Sequence, residues 1–220
     1  MTQRRKEPKE DVKKRARKII AALRKRYPQA TTALHHRTPF ELLVATVLSA
    51  QSTDKKVNEI TETLFRKYRG PDDFAQAGIA TLEKEIKPTG FFRNKTKSII
   101  GLSKDIVGKH GGKVPDTLEA LVELRGVGRK TANVVLAGAF GRPGIIVDTH
   151  MIRIANRLGL TVNKDPVKIE FDLMEVLSKR VWGEFSFMIV LHGRAICKAR
   201  KPLCHICNIE RHCPASTLGS

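Results

Sequence analysis

Apolar residues recur every three or four positions along most of this 220-residue chain. Val12, Ala16, Ile19, Ile20 and Leu23 make one stripe, and Val57, Ile60, Leu64 and Phe65 another. Side chains at that spacing share one face of a helix, so the pattern predicts an all-α protein. Helix starts are marked by side chains that accept a hydrogen bond from an unpaired first-turn amide. Thr38-Pro39-Phe40-Glu41 combines a capping box with proline at the first helical position, and Asp165-Pro166 repeats the cap-then-proline signal before a helix expected over 166–178. Gly70, Gly90, the Gly111-Gly112 pair and Gly159 read as stops, where a residue tolerant of positive φ closes the turn. No internal repeat or low-complexity linker interrupts the chain, so any two lobes are closely joined.

Composition narrows the partners. Hydrophobic residues make up 41% of the chain, enough for an ordinary core. Lys and Arg number 41 against 22 acids, a formal net charge of +19. Such an excess points to a polyanion, nucleic acid before an anionic membrane. Apolar runs such as 19–23 and 187–191 are far too short to span a bilayer. The start lacks the apolar stretch of a secretory leader, and its acids Glu7, Glu10 and Asp11 argue against a transit peptide. Between Arg4 and Arg26 stand twelve basic residues and three acids. Residues up to about 10 are expected to be a mobile arm and the rest a helix, its charged face either solvated or on DNA. An intracellular, cytoplasmic or nucleoid protein is expected.

The densest chemistry lies in Leu121–Leu136. A helix ends near Leu124, Gly126-Val127-Gly128 makes a tight turn, and a second helix begins at about Arg129. Amides in such a turn and in the first helical residues lack intrahelical partners and favour an anion. A phosphate diester is the obvious occupant, although G-x-G by itself also suits a purely structural turn. Lys130 follows in the first helical turn, where it either pairs with phosphate or acts as a nucleophile. An ordinary lysine amine is neutral in only about one molecule in a thousand near pH 7.4. A nucleophilic lysine must therefore be activated, and the helix N-terminus and partial burial both favour the neutral amine. The apolar run Ile145–Val147 then stops at Asp148-Thr149-His150, where Asp148 reads as a helix N-cap.

All four cysteines fall in one stretch: Cys197, Cys204, Cys207 and Cys213. Clustered thiols with none elsewhere indicate a metal site in a reducing compartment. Spacing alone permits a structural zinc or a [4Fe–4S] cluster. His205 and His212 could substitute as ligands but are not needed beside four cysteines. Lys198, Arg200 and Lys201, between the first two cysteines, suit a loop that grips phosphate.

Taken together, Leu124-x-Gly126-Val127-Gly128-x-Lys130-Thr131-Ala132, Val147-Asp148-Thr149-His150 and C-x6-C-x2-C-x5-C closely resemble the endonuclease III family of DNA glycosylases. The resemblance runs from about Pro39 to Pro214 and includes Phe40–Leu43 and Leu191–Arg194. It implies two helical lobes with duplex DNA in a cleft between them. One spans 31–142 and carries the helix–hairpin–helix; the other joins 1–30 to 143–220 and carries a [4Fe–4S] cluster on the four cysteines. It also implies a bifunctional N-glycosylase and AP lyase acting on oxidised pyrimidines, with Lys130 as nucleophile and Asp148 as the catalytic carboxylate. Gln51, within Leu48–Asp54, and Phe91, after Thr89-Gly90, are the expected wedges into the base stack, with Phe92 as the alternative to Phe91. Gly126, Gly128, Arg129 and Lys201 are expected to contact the DNA backbone. A monomer is expected. Mismatch-specific relatives replace the hairpin lysine, so Lys130 argues against that alternative. A non-catalytic DNA-binding module would leave Asp148, in its motif context, unexplained beyond capping.

Overall fold

The computed structural model describes residues 7–218, and among these residues the chain is helical without a strand. The helices are α1 (Lys9–Arg26), α2 (Pro39–Leu48), α3 (Asp54–Lys67), α4 (Pro71–Ala75), α5 (Ile79–Ile86), α6 (Phe92–His110), α7 (Leu118–Val122), α8 (Arg129–Ala139), α9 (Thr149–Arg157), α10 (Pro166–Val176) and α11 (Trp182–Ala195), with short 3-10 segments at Lys87–Thr89, Lys179–Val181, Cys204–Ile206 and Glu210–His212. They divide into two compact units, Thr32–Arg142 and Met1–Thr31 with Pro143–Ser220.

The unit Thr32–Arg142 is built around α2. Every residue from Phe40 to Leu48 is buried, as befits a helix that is apolar all round. α8 packs on one side of it and α6 on another, with α4 and α5 backing α6. Thr38 caps α2 by accepting the Glu41 N–H at 3.1 Å. The reciprocal half of the expected capping box does not form. The Glu41 carboxylate turns to Arg37, which offers both its backbone N–H at 2.6 Å and its guanidinium at 2.7 Å, so the charged group adds to an amide bond of the kind the cap would have given. α6 ends where Gly111 and Gly112 take positive φ, and the Gly112 N–H closes on the Ile106 carbonyl at 3.1 Å. Gly70 is not a stop of this kind: its backbone is extended, and it opens α4 ahead of Pro71.

In the other unit, Ile19 and Leu23 of α1 share a core with Ile154 of α9, Leu173 of α10, and Phe185 and Ile189 of α11. α1 begins earlier than expected, at Lys9. Pro8 precedes it, Glu10 and Asp11 complement the dipole in its first turn, and Lys9 pairs with Glu175 at 2.7 Å. Of the expected arm, residues 1–6 lie outside the described residues. Asp165 caps α10 through the Lys168 N–H at 2.9 Å. Gly193 lets α11 close on α9, since a Cβ there would collide with the His150 ring.

Candidate functional site

The hairpin is formed by α7, the turn 123–128 and α8. Leu124 and Val127 are buried, and the Val127 N–H donates to the Leu124 carbonyl at 3.1 Å. Gly126 sits at φ +79°, pressed against α6, where a Cβ would lie 2.5 Å from Ser98 Cβ. No side chain caps α8, whose N-cap is the extended Gly128. The end of the helix is therefore left for an external acceptor. Asp105 of α6 locks the approach to the turn. It accepts the Arg125 backbone N–H at 3.1 Å and its guanidinium at 2.9 and 3.1 Å. These Arg125 bonds hold the Asp105 carboxyl below the usual range. Arg129 and Lys130 follow on α8, Arg129 half-buried and Lys130 exposed.

Gln51 and Phe91 stand on the loops after α2 and before α6. They are the non-glycine residues with positive φ among those described, at 54° and 48°, and both are exposed. Left-handed backbone is rare for such side chains and concentrates at functional sites. A depression of about 240 Å³ is lined by both, together with Ala50, Asn94, Lys95, Gly126 and Thr131. Two expected wedge positions and the hairpin glycine thus border one concavity. Phe92 is half-buried and begins α6, so Phe91 is the more projecting of the pair.

Asp148 belongs to the other unit. It caps α9 by accepting the Met151 N–H at 2.8 Å and remains half-buried. Two arginines on the same helix clamp the cysteine loop. Arg153 donates to the Cys197 carbonyl at 2.9 Å, and Arg157 to the carbonyls of Lys198 and Ala199 at 2.8 and 2.7 Å. Lys201 stays exposed on that loop. Cys197, Cys204, Cys207 and Cys213 line one cavity floored by Ile154, Leu158, Ile196 and Ile209. Burial, and then the neighbouring cysteines, push the Cys207 and Cys213 thiols up. Four sulfurs in such a space can be thiolates together only around concentrated positive charge. Among the described residues, no His, Cys, Asp or Glu trio is arranged to hold a single metal ion. His192 lies 3.6 Å from Cys207 Sγ, and burial, followed by the Arg26 charge, pushes its pKa down to about 4, leaving a neutral ring.

Residues 44–179 match the HhH-GPD superfamily of base excision DNA repair proteins. The chain is 49% identical over 205 residues to endonuclease III of Synechocystis, covering 93% of this chain and 94% of that one. The chain belongs to the endonuclease III family. The Escherichia coli endonuclease III is 40% identical over 195 residues, covering 89% of this chain and 92% of the relative. A solved endonuclease III held in a trapped covalent intermediate with DNA superposes with a TM-score of 0.87 at 40% identity, over 93% of this chain and 96% of that one. A thermostable thymine-DNA glycosylase shares the fold, with a TM-score of 0.82 at 23% identity over 92% and 97% of the two chains.

Within this endonuclease III family chain, sequence reasoning missed Lys95, Asp105, Arg153 and Arg157. Lys95 had a readable signal: it falls in phase with Ile99, Leu102 and Ile106 on the buried stripe of α6. Asp105, in phase with neighbouring apolar positions, carried a weaker one. The arginines carried none, since their acceptors are backbone carbonyls distant in sequence.

Proposed function

We propose that this protein is a bifunctional DNA N-glycosylase and AP lyase that removes oxidised pyrimidines from duplex DNA through Lys130. The observation that carries the reading is the exposed Lys130 in the first turn of the uncapped helix α8, in a chain similar to an enzyme solved as a covalent intermediate with DNA. The hairpin amides and Arg129 take a backbone phosphate, fixing register without reading sequence. Gln51 and Phe91 enter the stack as the damaged nucleotide is swung out. The bound strand closes over the exposed Lys130 and excludes water from it. The Nζ lone pair then attacks C1′. The C1′–N bond breaks, and the base leaves with the electron pair and takes up a proton. Asp148 stabilises the cationic sugar and assists proton transfer to and from the amine. The C1′–O4′ bond then opens with the electron pair going to O4′, which takes up a proton, while the nitrogen, its second proton passed to Asp148, forms the C1′=N bond; in the resulting Schiff base the C2′ proton is acidic, and its loss expels the 3′ phosphate by β-elimination.

The four cysteines are read as ligands of a [4Fe–4S] cluster. Four cysteines that line one cavity at the C-x6-C-x2-C-x5-C spacing shared with the endonuclease III family support that reading. When bound, the cluster supplies cross-linking of the loop. That holds Lys198, Arg200 and Lys201 on the surface to meet phosphate. No helix among the described residues is long and apolar enough to cross a membrane. The protein acts inside the cell on the nucleoid.

The test is reductive trapping. The holoenzyme with borohydride and a thymine glycol duplex yields a protein–DNA adduct, and the Lys130→Gln variant binds the same duplex without forming one. Base release by the wild type without any adduct would exclude the amine mechanism.

A further inference from the structure

Lys95 is buried to 4% exposure near the start of α6. Its ammonium donates to the Leu48 carbonyl at 2.8 Å and to the Thr89 carbonyl at 2.8 Å. Neither partner is an acid. Leu48 is the last residue of α2 and Thr89 the last of the Lys87–Thr89 3-10 segment, so both carbonyls sit at helix ends where cations are favoured. Gln51 lies three residues beyond the first and Phe91 two beyond the second. One ammonium therefore spans the roots of the two loops whose tips border the same depression.

Packing alone does not call for a lysine there. The position is in phase with Ile99, Leu102 and Ile106, and a leucine or methionine would fill it without desolvating a charge. Burial pushes the Lys95 pKa down, so the ammonium is kept against an opposing term. The loops, meanwhile, hold two side-chain-bearing residues in left-handed backbone. Such strain persists only where the surroundings over-determine the conformation.

We infer that Lys95 is a positioning residue for base extrusion: by tying the Leu48 and Thr89 carbonyls to one ammonium, it sets the separation at which Gln51 and Phe91 enter the stack. This rests on the reading of Gln51 and Phe91 as wedges. Its ammonium is engaged by the two carbonyls, so Lys95 acts through the loops.

The experiment compares two reactions of the holoenzyme on one duplex sequence: release of thymine glycol paired with adenine, which needs full extrusion, and scission at a preformed abasic site, where no base is displaced. A misplacement of about 1 Å slows a positioned reaction by up to roughly a hundredfold. Lys95→Met is expected to lower the ratio of the two rates at least about tenfold on that scale, with kcat rather than KM carrying the loss. Combined with Gln51→Ala and Phe91→Ala, the same change adds little, because the loops no longer have wedges to place. Equal losses on both substrates would mark a merely structural residue and overturn the inference, as would full additivity in the wedge-less background. If Gln51→Ala with Phe91→Ala leaves thymine glycol release unaffected, the wedge reading fails first and the inference falls with it. If those changes slow release and Lys95→Met does not, the inference alone fails. Should Lys95→Met not accumulate as folded protein, Lys95→Gln, which keeps one donor, carries the same comparison.

Discussion

Replacing Gly126 with alanine tests the steric logic of the hairpin. The new methyl meets two separate penalties. Backbone at φ +79° costs a side-chain-bearing residue about 1–2 kcal/mol. The Cβ would also stand 2.5 Å from Ser98 Cβ and clash with its hydroxyl, and overpacking of this kind costs about 1–3 kcal/mol. Reduced freedom of the unfolded chain returns about 0.4–1 kcal/mol, leaving a net loss of about 2–4 kcal/mol. At about 2–4 °C per kcal/mol for a chain of this size, thermal unfolding followed by circular dichroism should move down by roughly 4–16 °C. The two penalties separate in a double-mutant cycle. Ser98→Gly by itself costs about 0.5 kcal/mol of helix propensity. It removes both the hydroxyl and the Cβ from the path of the new methyl, leaving Gly126→Ala the φ penalty and a 3.3 Å approach to the residue-98 Cα. The coupling between the two changes should therefore be about 1–3 kcal/mol and favourable. A cycle that closes additively, within about 0.5 kcal/mol, would mean that α6 does not constrain the turn as described.

Other consequences can be measured on the same protein. Asp148→Asn keeps an N-cap of similar quality and should leave Tm near that of the wild type while slowing turnover, whereas Asp148→Ala should lose about 0.5–2 kcal/mol of stability as well; a similar Tm loss in both would assign the residue to capping alone. Because the Arg125 bonds depress the folded-state pKa of Asp105, its ion pair stabilises the fold fully above the unfolded carboxyl value near 3.9 and loses that effect as pH falls through the lower folded value. Urea melts of wild type and Asp105→Asn should accordingly differ most at neutral pH and converge in acid; a constant difference would refute the assignment. Arg157→Met removes the donor to the Lys198 and Ala199 carbonyls, so absorbance at about 400 nm from an iron–sulfur centre should bleach faster under a chelator than in wild type; equal bleaching rates would remove Arg157 from the clamp.

The helical class was legible because the stripes it needs are long and repeated: Ile19, Leu23, Leu64 and Phe65 are buried as their spacing requires. Caps were legible where a single side chain decides them, as at Thr38 and Asp165. The family motifs identified the hairpin and the cysteines because both are contiguous in sequence. What escaped was tertiary. The Leu48 carbonyl that holds Lys95 and the Cys197 carbonyl that holds Arg153 lie far away in sequence, whereas the Glu41–Arg37 pair is local and was masked by the capping-box pattern. Gly70 misled for a related reason: glycine before proline serves an extended N-cap as readily as a left-handed stop.

In the unit Thr32–Arg142, one helix, α6, supports both loops and the hairpin turn that border the depression. Lys95 near the start of α6 holds the roots of the loops after α2 and before α6 itself, Ser98 one turn later bears on Gly126, and Asp105 further along holds Arg125. These contacts fall along one side of a single rigid rod, within about 80° of helix rotation, so the spacing between the Gln51 and Phe91 loops and the hairpin is set by helix geometry more than by loop stiffness. Flexible loops would have to order on DNA and lose affinity in doing so, whereas sites mounted on one helix meet the strand already arranged. A lesion-seeking enzyme gains in a second way. Each undamaged nucleotide is rejected at the cost of a brief encounter, without repeated ordering and release of the reading surface.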